Sequence, residues 1–122
     1  MFLDTNIFIY SFDNRYLQKQ SIADNLIQEA ISSSNGCISY QVIQEFLNVA
    51  LKKFEKPFTT GELNNLLSKL FEPLCEIFST IDLYRTALDI KDIWHYSFYN
   101  SLIIVSAFML NCKTLYSEDM QH

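Results

Sequence analysis

Short apolar runs and longer amphipathic stretches alternate along this chain. The apolar runs at residues 2–3, 37–39, 74–78 and 114–116 are too short for helices and predict strands. Enough chain lies between successive runs for a helix of about ten residues. Strands that alternate with such helices favour right-handed crossovers, which build a mainly parallel sheet covered on both faces. The pattern therefore predicts an α/β fold, a three-layer α/β/α sandwich with a mainly parallel central sheet.

Apolar positions three or four residues apart predict the helices. The last of these, over residues 102–110, is expected to be sandwiched in the interior, because apolar side chains cover nearly its whole circumference. The expected apolar faces of the others are Ile22, Leu26, Ala30 and Ile31; Ile43, Phe46, Leu47, Ala50 and Phe54; Leu63, Leu66, Leu67, Leu70 and Phe71; and Ala87, Leu88, Ile90 and Trp94.

Local signals mark where these helices begin and end. Thr59-x-x-Glu62 has the form of a capping box and should begin a helix. Ser97 or Asn100 is expected to cap the last helix. Residue pairs with Gly or Pro are expected to end the others: Asn35-Gly36, Lys56-Pro57 and Glu72-Pro73.

The composition supports one domain. The chain has 122 residues, 49% of them apolar and 19% charged, which is enough for one core and too little for two domains. Only 2 Gly and 2 Pro are present, which argues against a low-complexity chain and against an all-β domain with frequent tight turns. The cysteines, Cys37, Cys75 and Cys112, are widely spaced in largely apolar sequence. We therefore expect buried thiols rather than disulfides or a zinc site.

Neither a signal peptide nor a membrane-spanning segment is predicted. The first residues show no basic segment followed by an apolar one. The longest strongly apolar stretch, residues 102–110, is far shorter than the ~20 residues that cross a bilayer. We therefore expect a cytoplasmic protein without membrane contact.

The acidic charge narrows the possible functions. A formal charge of -5 and a pI of about 4.8 remove the usual electrostatic argument for binding nucleic acid. The exception is a metal-dependent phosphodiesterase, in which clustered carboxylates gather cations and the cations face the phosphate.

Carboxylates that follow predicted strands are the candidates for such a site. Ligands of parallel sheets bind beyond the carboxyl ends of the strands, where Asp4 and Asp119 stand. Taken alone, each candidate also has an ordinary structural explanation. Asp4 suits a turn or helix cap, Glu118 and Asp119 suit a turn, Asn100 suits a cap, and Glu45 suits a solvated helix face. Residue types alone leave both explanations open.

The combination of sequence segments resembles a known family. The segments are FLDTN at residues 2–6, QEFLNV at 44–49, SFYNSLII at 97–104 and LYSEDM at 115–120. In their order, spacing and context they resemble the PIN-domain ribonuclease family, in particular the VapC-type toxins of bacterial toxin-antitoxin pairs. The resemblance spans nearly the whole chain. It implies a single PIN-like domain over residues 1–122, without the final short strand that the family usually adds.

The resemblance implies a set of site residues. Asp4, Glu45 and Asp119 match acidic positions of the family, and Asn100 stands where the family normally has Asp. By this resemblance these residues would hold one or two Mg2+ or Mn2+ ions for the hydrolysis of an RNA phosphodiester. Neighbouring polar residues would either orient the carboxylates or serve only as turn and cap hydrogen-bonders: Thr5, Asn6, Ser117 and Glu118.

Asn100 is the departure from the family pattern. An amide oxygen can bind a hard cation but brings no negative charge, so metal affinity and activity should both fall. A loss of ~4 kcal/mol would lower the rate about a thousandfold. The resemblance therefore predicts a ribonuclease toxin that is weakened or inactive at this residue.

The resemblance also implies partners, and other functions stay open beside it. The implied partners are an RNA substrate, a small antitoxin protein that blocks the site, and a second copy in a homodimer. A non-catalytic PIN-fold binding or scaffold module would instead use the acidic pocket to receive a basic segment of another protein. A phosphoryl-accepting, receiver-like domain would be built around Asp4, but such domains usually gather further carboxylates, and Thr5 and Asn6 supply none.

Overall fold

Short parallel strands and longer helices alternate in the computed structural model, which describes residues 1–77, 79–110 and 115–116. A strand lies within each predicted apolar run, but Leu74 is helical rather than part of a strand, and residues 78 and 114 lie outside the described residues. In chain order the elements are β1 (Phe2–Leu3), α1 (Thr5–Ser11), α2 (Leu17–Ser32), β2 (Ile38–Ser39), α3 (Tyr40–Lys52), α4 (Thr60–Leu66), a π-helical segment (Leu67–Phe71), α5 (Glu72–Leu74), β3 (Cys75–Ile77), α6 (Ile81–Trp94), α7 (Phe98–Met109) and β4 (Leu115–Tyr116).

All described strand pairs are parallel. β1 pairs with β4, with Leu3 opposite Tyr116, and β2 pairs with β3. A single parallel bridge between Phe2 and Cys37 connects the two pairs, and the Leu3 amide donates to the Cys37 carbonyl at 3.1 Å. The order across these contacts is therefore β3, β2, β1, β4. The parallel pairing agrees with the prediction, and the three-layer arrangement of the helices stays a prediction.

The main core surrounds β1 and β2. Phe2, Phe8, Phe46 and Phe71 are all completely buried there, and the Phe46 and Phe71 rings lie 5.0 Å apart. Aromatic rings at such distances add packing energy to their buried area. This core holds β1 and the N-terminal half of α3 in fixed positions, and both elements carry candidate site residues.

Helix α7 packs on two sides. Ile103 and Ala107 join the main core, whereas Leu102 and Val105 pack with α6 in a second cluster. This burial follows from the nearly continuous apolar surface of the helix. The end of the helix differs from the prediction, because Phe108 is 83% exposed.

The predicted face of α2 is confirmed at Ala30 and in part at Leu26, which packs against the main core, but is wrong at Ile22 and Ile31. Its buried residues are Ala23, Ile27 and Ala30, whereas Ile22 and Ile31 are 56% and 46% exposed. The helix carries apolar residues in two overlapping registers, and periodicity alone does not choose between them. The register with two alanines faces inward because small side chains allow close approach of the neighbouring backbone.

Helix ends also differ from the predictions. α2 ends at Ser32, and the residue with a left-handed backbone is Ser34, with φ of 54°. Gly36 instead packs against Ala30, where a Cβ would come within 2.2 Å of the alanine Cβ. α3 ends at Lys52, before the Lys56-Pro57 pair that was expected to end it.

Pro73 does not end the helical stretch as predicted. The Thr59–Glu62 capping box is present and begins α4, and helical structure continues through the π-helical segment into α5. Pro73 is the second residue of α5, and the helical stretch ends one residue after it, at Leu74.

The predicted packing of α6 is wrong at two positions. Leu83 and Ala87 form its buried face, whereas Leu88 is 50% and Trp94 65% exposed. The contact face of α6 is narrower than the apolar spacing suggested, because α7 covers only one side of it. None of the helices in the described ranges is both long and apolar enough to cross a membrane.

Candidate active site

A cavity of about 460 Å³ lies beyond the carboxyl end of β1. It is formed by the residue that follows this strand, by one side of α3 and by the first half of α7. Three of the predicted site residues share it, although they are far apart in sequence. The described lining residues are Asp4, Gln41, Gln44, Glu45, Asn48, Tyr99, Asn100 and Ile103.

Asp4 is both a helix cap and a lining residue. Its backbone is extended, and its Oδ1 accepts a hydrogen bond from the Thr5 amide at 2.7 Å. The residue is only 5% exposed. Capping fixes the carboxylate at the start of α1. The structural explanation of Asp4 as a cap is therefore compatible with a role in the cavity.

Glu45 is held by two side-chain hydrogen bonds. The Thr5 hydroxyl donates to Oε2 at 2.8 Å, and the Gln41 amide donates to Oε1 at 2.8 Å. The glutamate is half-buried and lines the cavity. Both donors are neutral, so they orient the carboxylate and leave its negative charge in the cavity.

Gln41 ties α3 to α7. Its Nε2 also donates to the backbone carbonyl of Tyr99 at 3.4 Å, directly before Asn100. The residue is 3% exposed, and its buried Oε1 has no hydrogen-bond partner within residues 1–77, 79–110 and 115–116. The two acceptors around Nε2 fix which way the amide points. This residue was missed by sequence reasoning, although its position one helical turn before Glu45 places both on one face.

Asn100 lies in the first turn of α7 but does not cap it. Ser97 is the cap, and its hydroxyl accepts from the Asn100 amide at 3.1 Å. The Asn100 side chain is thereby left to line the cavity. The first turn of a helix favours negative charge, so the local structure would accept Asp at this position.

The remaining predicted site residues divide into two groups. Thr5 is 4% exposed and binds Glu45 as described, whereas Asn6 is half-buried within α1 and is not among the described lining residues. Three predicted residues lie outside the described ranges: Ser117, Glu118 and Asp119.

The oxygen donors of the cavity suit a hard divalent cation. Mg2+ and Mn2+ prefer carboxylate, amide and water oxygens, and Asp4, Glu45 and Asn100 present the first two types. Among residues 1–77, 79–110 and 115–116, however, no group of three or more His, Cys, Asp or Glu side chains could hold a metal ion. The described part of the cavity therefore fits the chemistry of such an ion but is poor in charge.

A comparison with protein families identifies the family of the chain. The profile described as PIN domain matches residues 1–122. The chain belongs to the PIN domain family. PIN domains are generally metal-dependent nucleases, which agrees with oxygen donors gathered at the end of a parallel strand. A comparison with curated proteins found no match.

Proposed function

We propose that this PIN domain is a Mg2+- or Mn2+-dependent ribonuclease, the toxin of a toxin-antitoxin pair, weakened by Asn100. The observation that carries the proposal is the convergence of Asp4, Glu45 and Asn100 on one cavity beyond a parallel strand. These three positions come from separate segments, so no local structural need brings them together. Family membership makes a phosphodiester the expected substrate bond.

Asp119 is proposed as a further metal ligand. β4 runs parallel to β1, and Tyr116 stands opposite Leu3, so both strands end at the same edge. Asp4 follows β1 directly, and Asp119 comes three positions after Tyr116 in the sequence. The carboxyl ends of parallel strands are where such sheets bind ligands. This adjacency supports Asp119 as the partner of Asp4 across the strand pair.

Some of these residues would bind the ion, and another would orient one of the ligands. Asp4, Glu45, Asn100 and Asp119 would hold the ion, which when bound supplies Lewis-acid activation of the phosphodiester and of the attacking water. Thr5 keeps Glu45 in one orientation through the bond to Oε2. Since positioned ligands need not reorganise during the reaction, such bonds lower the activation barrier.

Exposed apolar side chains support the proposed protein partners. On α6 and α7, Trp94 and Phe108 are 65% and 83% exposed. Large aromatic side chains on a surface are typical of interaction sites. We propose that an antitoxin and a second copy of the chain bind such surfaces, as the family resemblance implies.

Asn100 also supports a second candidate function. With an amide at this position, the described lining of the cavity contains only the carboxylates of Asp4 and Glu45. A PIN fold that binds a basic segment of another protein, without catalysis, needs negative charge but no metal. Metal binding separates the two functions.

The test is metal binding and RNA cleavage by the native chain. We expect Mn2+ to raise the melting temperature and to support slow, chelator-sensitive cleavage of total cellular RNA. Asp4→Asn, which keeps a capping oxygen, should abolish both effects, whereas Asp92→Asn, a change at an exposed carboxylate of α6, should leave them unchanged. If Mn2+ has no effect on the native chain, the nuclease proposal is contradicted and the non-catalytic binding module is favoured.

A further inference from the structure

Tyr99 is unusual among the residues that line the cavity. It lies beside Asn100 and lines the cavity with it, yet it is 64% exposed. A large aromatic side chain left in water forgoes the burial that normally stabilises it. We therefore expect a ligand in the cavity to cover this exposed tyrosine.

The Tyr99 ring has an aromatic neighbour. It packs on Phe98 with ring centroids 5.9 Å apart, and Phe98 stacks on Tyr84 with an interplanar angle of 29°. The Tyr84 hydroxyl accepts from the Tyr40 hydroxyl at 2.9 Å. The backbone carbonyl of Tyr99 is held by Gln41. The contact with Phe98 limits the positions of the ring, and the Gln41 bond fixes the backbone that carries it, so less entropy is lost on binding.

The charge of the cavity explains why an aromatic contact would be needed. The chain carries a formal charge of -5, and the described lining residues include Asp4 and Glu45 but no Lys or Arg. An RNA strand here thus lacks the cationic contacts that usually provide most nucleic-acid affinity. Base stacking supplies affinity that does not depend on protein charge.

We infer that Tyr99 stacks on an unpaired base of an RNA strand whose neighbouring phosphodiester lies at Asp4, Glu45 and Asn100. This inference rests on the proposed ribonuclease function and adds to it the residue that selects single-stranded substrate. A base within a duplex is already stacked and paired, and does not offer its face to a side chain. Duplex RNA should therefore bind weakly.

The experiment measures binding rather than cleavage, because Asn100 is expected to weaken catalysis. A fluorescein-labelled, unstructured oligoribonucleotide is titrated with the full chain in the presence of Mn2+, and polarisation gives the Kd. The variants are Tyr99→Leu, which removes the ring, and Tyr99→Phe, which keeps it. Tyr16→Leu is the matched control, since Tyr16 is a 48% exposed tyrosine away from the described cavity lining.

Removal of the ring should raise the Kd by about 5- to 150-fold, the usual range for loss of one stacked base. Tyr99→Phe and Tyr16→Leu should bind like the native chain, and all variants should have similar melting temperatures. An oligoribonucleotide with 2-aminopurine should lose fluorescence on binding to the native chain and to Tyr99→Phe, but not to Tyr99→Leu.

Three negative results have different meanings. If the native chain binds the oligonucleotide and Tyr99→Leu binds it equally well, the stacking role is wrong and the ribonuclease proposal stands. If the native chain binds duplex and single strands alike, the selection of single strands is wrong. If the native chain binds neither RNA at any Mn2+ concentration, the ribonuclease proposal itself fails, and the inference fails with it.

Discussion

Asn100→Asp adds one negative charge to the cavity with almost no change in shape. The cap of α7 should be unaffected, because Ser97 bonds to the backbone amide of residue 100 rather than to its side chain. A carboxylate in the first turn is also favoured by the helix dipole, by about 0.3–1 kcal/mol. The substitution therefore tests charge at the site rather than folding of the helix.

The expected magnitude follows from electrostatics in a half-buried site. Unit charges about 4 Å apart interact by about 4 kcal/mol at an effective dielectric constant of about 20. Since each 1.36 kcal/mol is a factor of about ten, one added carboxylate should raise Mn2+ affinity, and with it the rate, by up to about a thousandfold. Without metal the same charge repels Asp4 and Glu45. In chelator the variant should melt at a lower temperature than the native chain, and Mn2+ should reverse that order.

Calorimetric Mn2+ titration and cleavage of total cellular RNA measure the two effects. The cleavage should be sensitive to chelator and should disappear when Asp4→Ala is added to Asn100→Asp. Asn48→Asp is the matched control, because Asn48 lines the same cavity from α3 and acquires the same charge. If Asn100→Asp neither cleaves RNA nor binds Mn2+ more tightly than Asn48→Asp does, position 100 is not a metal ligand and the reasoning is refuted.

Further predictions concern the support of the site and the fold. Thr5→Val removes the hydroxyl that orients Glu45, so Mn2+ affinity measured by calorimetry should fall, whereas Thr5→Ser should match the native chain; equal affinities would contradict the orienting role. Gly36→Ala places a Cβ 2.2 Å from an alanine Cβ of α2, and the crowding should lower the free energy of unfolding in urea by about 1–3 kcal/mol. Gly61→Ala, whose added Cβ has its nearest neighbour at 4.0 Å, is the control and should stabilise α4 by up to about 1 kcal/mol; equal effects of the two changes would refute the packing argument. The Arg15 side chain donates hydrogen bonds to Asp13 and holds the pKa of this carboxyl below its usual 3.8. The contribution of Asp13 to stability is therefore present above pH 3.8 and is lost as the pH falls through the lowered pKa. Melting temperatures of Asp13→Asn should accordingly depend less on pH in this acidic range, and identical pH profiles would exclude the effect.

Features that depend on neighbouring residues were predictable from the sequence. The capping box at Thr59 and Glu62 forms within one turn of helix, so its spacing carries the whole signal. The cap of α7 was narrowed to Ser97 or Asn100, and the structure has Ser97. The strands were found because polar residues interrupt each apolar run, as Asp4 does after Phe2–Leu3. The parallel pairing followed from the alternation of strands and helices.

Features that depend on distant packing were not predictable. The spacing of apolar residues shows that α2 is amphipathic, but the choice between Ile27 and Ile31 as the inward residue depends on which neighbour packs there. The exposure of Trp94 has the same origin, since the inward face of α6 is defined by its packing against α7 and by the contact of Tyr84 with Tyr40 of α3. Gln41 was missed because an isolated glutamine has no pattern of its own, and its role appears only when the Tyr99 carbonyl approaches it.

With Asn100 in place the site has its hydrogen bonds but lacks the negative charge that Asp would supply. Thr5, Gln41 and the Tyr99 carbonyl still form a continuous set of hydrogen bonds around Glu45. Among the described residues, the Gln41 amide oxygen in this network has no hydrogen-bond partner, and an unpaired buried group of this kind costs about 1–3 kcal/mol. These hydrogen bonds orient the Glu45 carboxylate, whereas the described lining of the cavity carries only two carboxylates. A single carboxylate at position 100 should therefore be enough to strengthen metal binding.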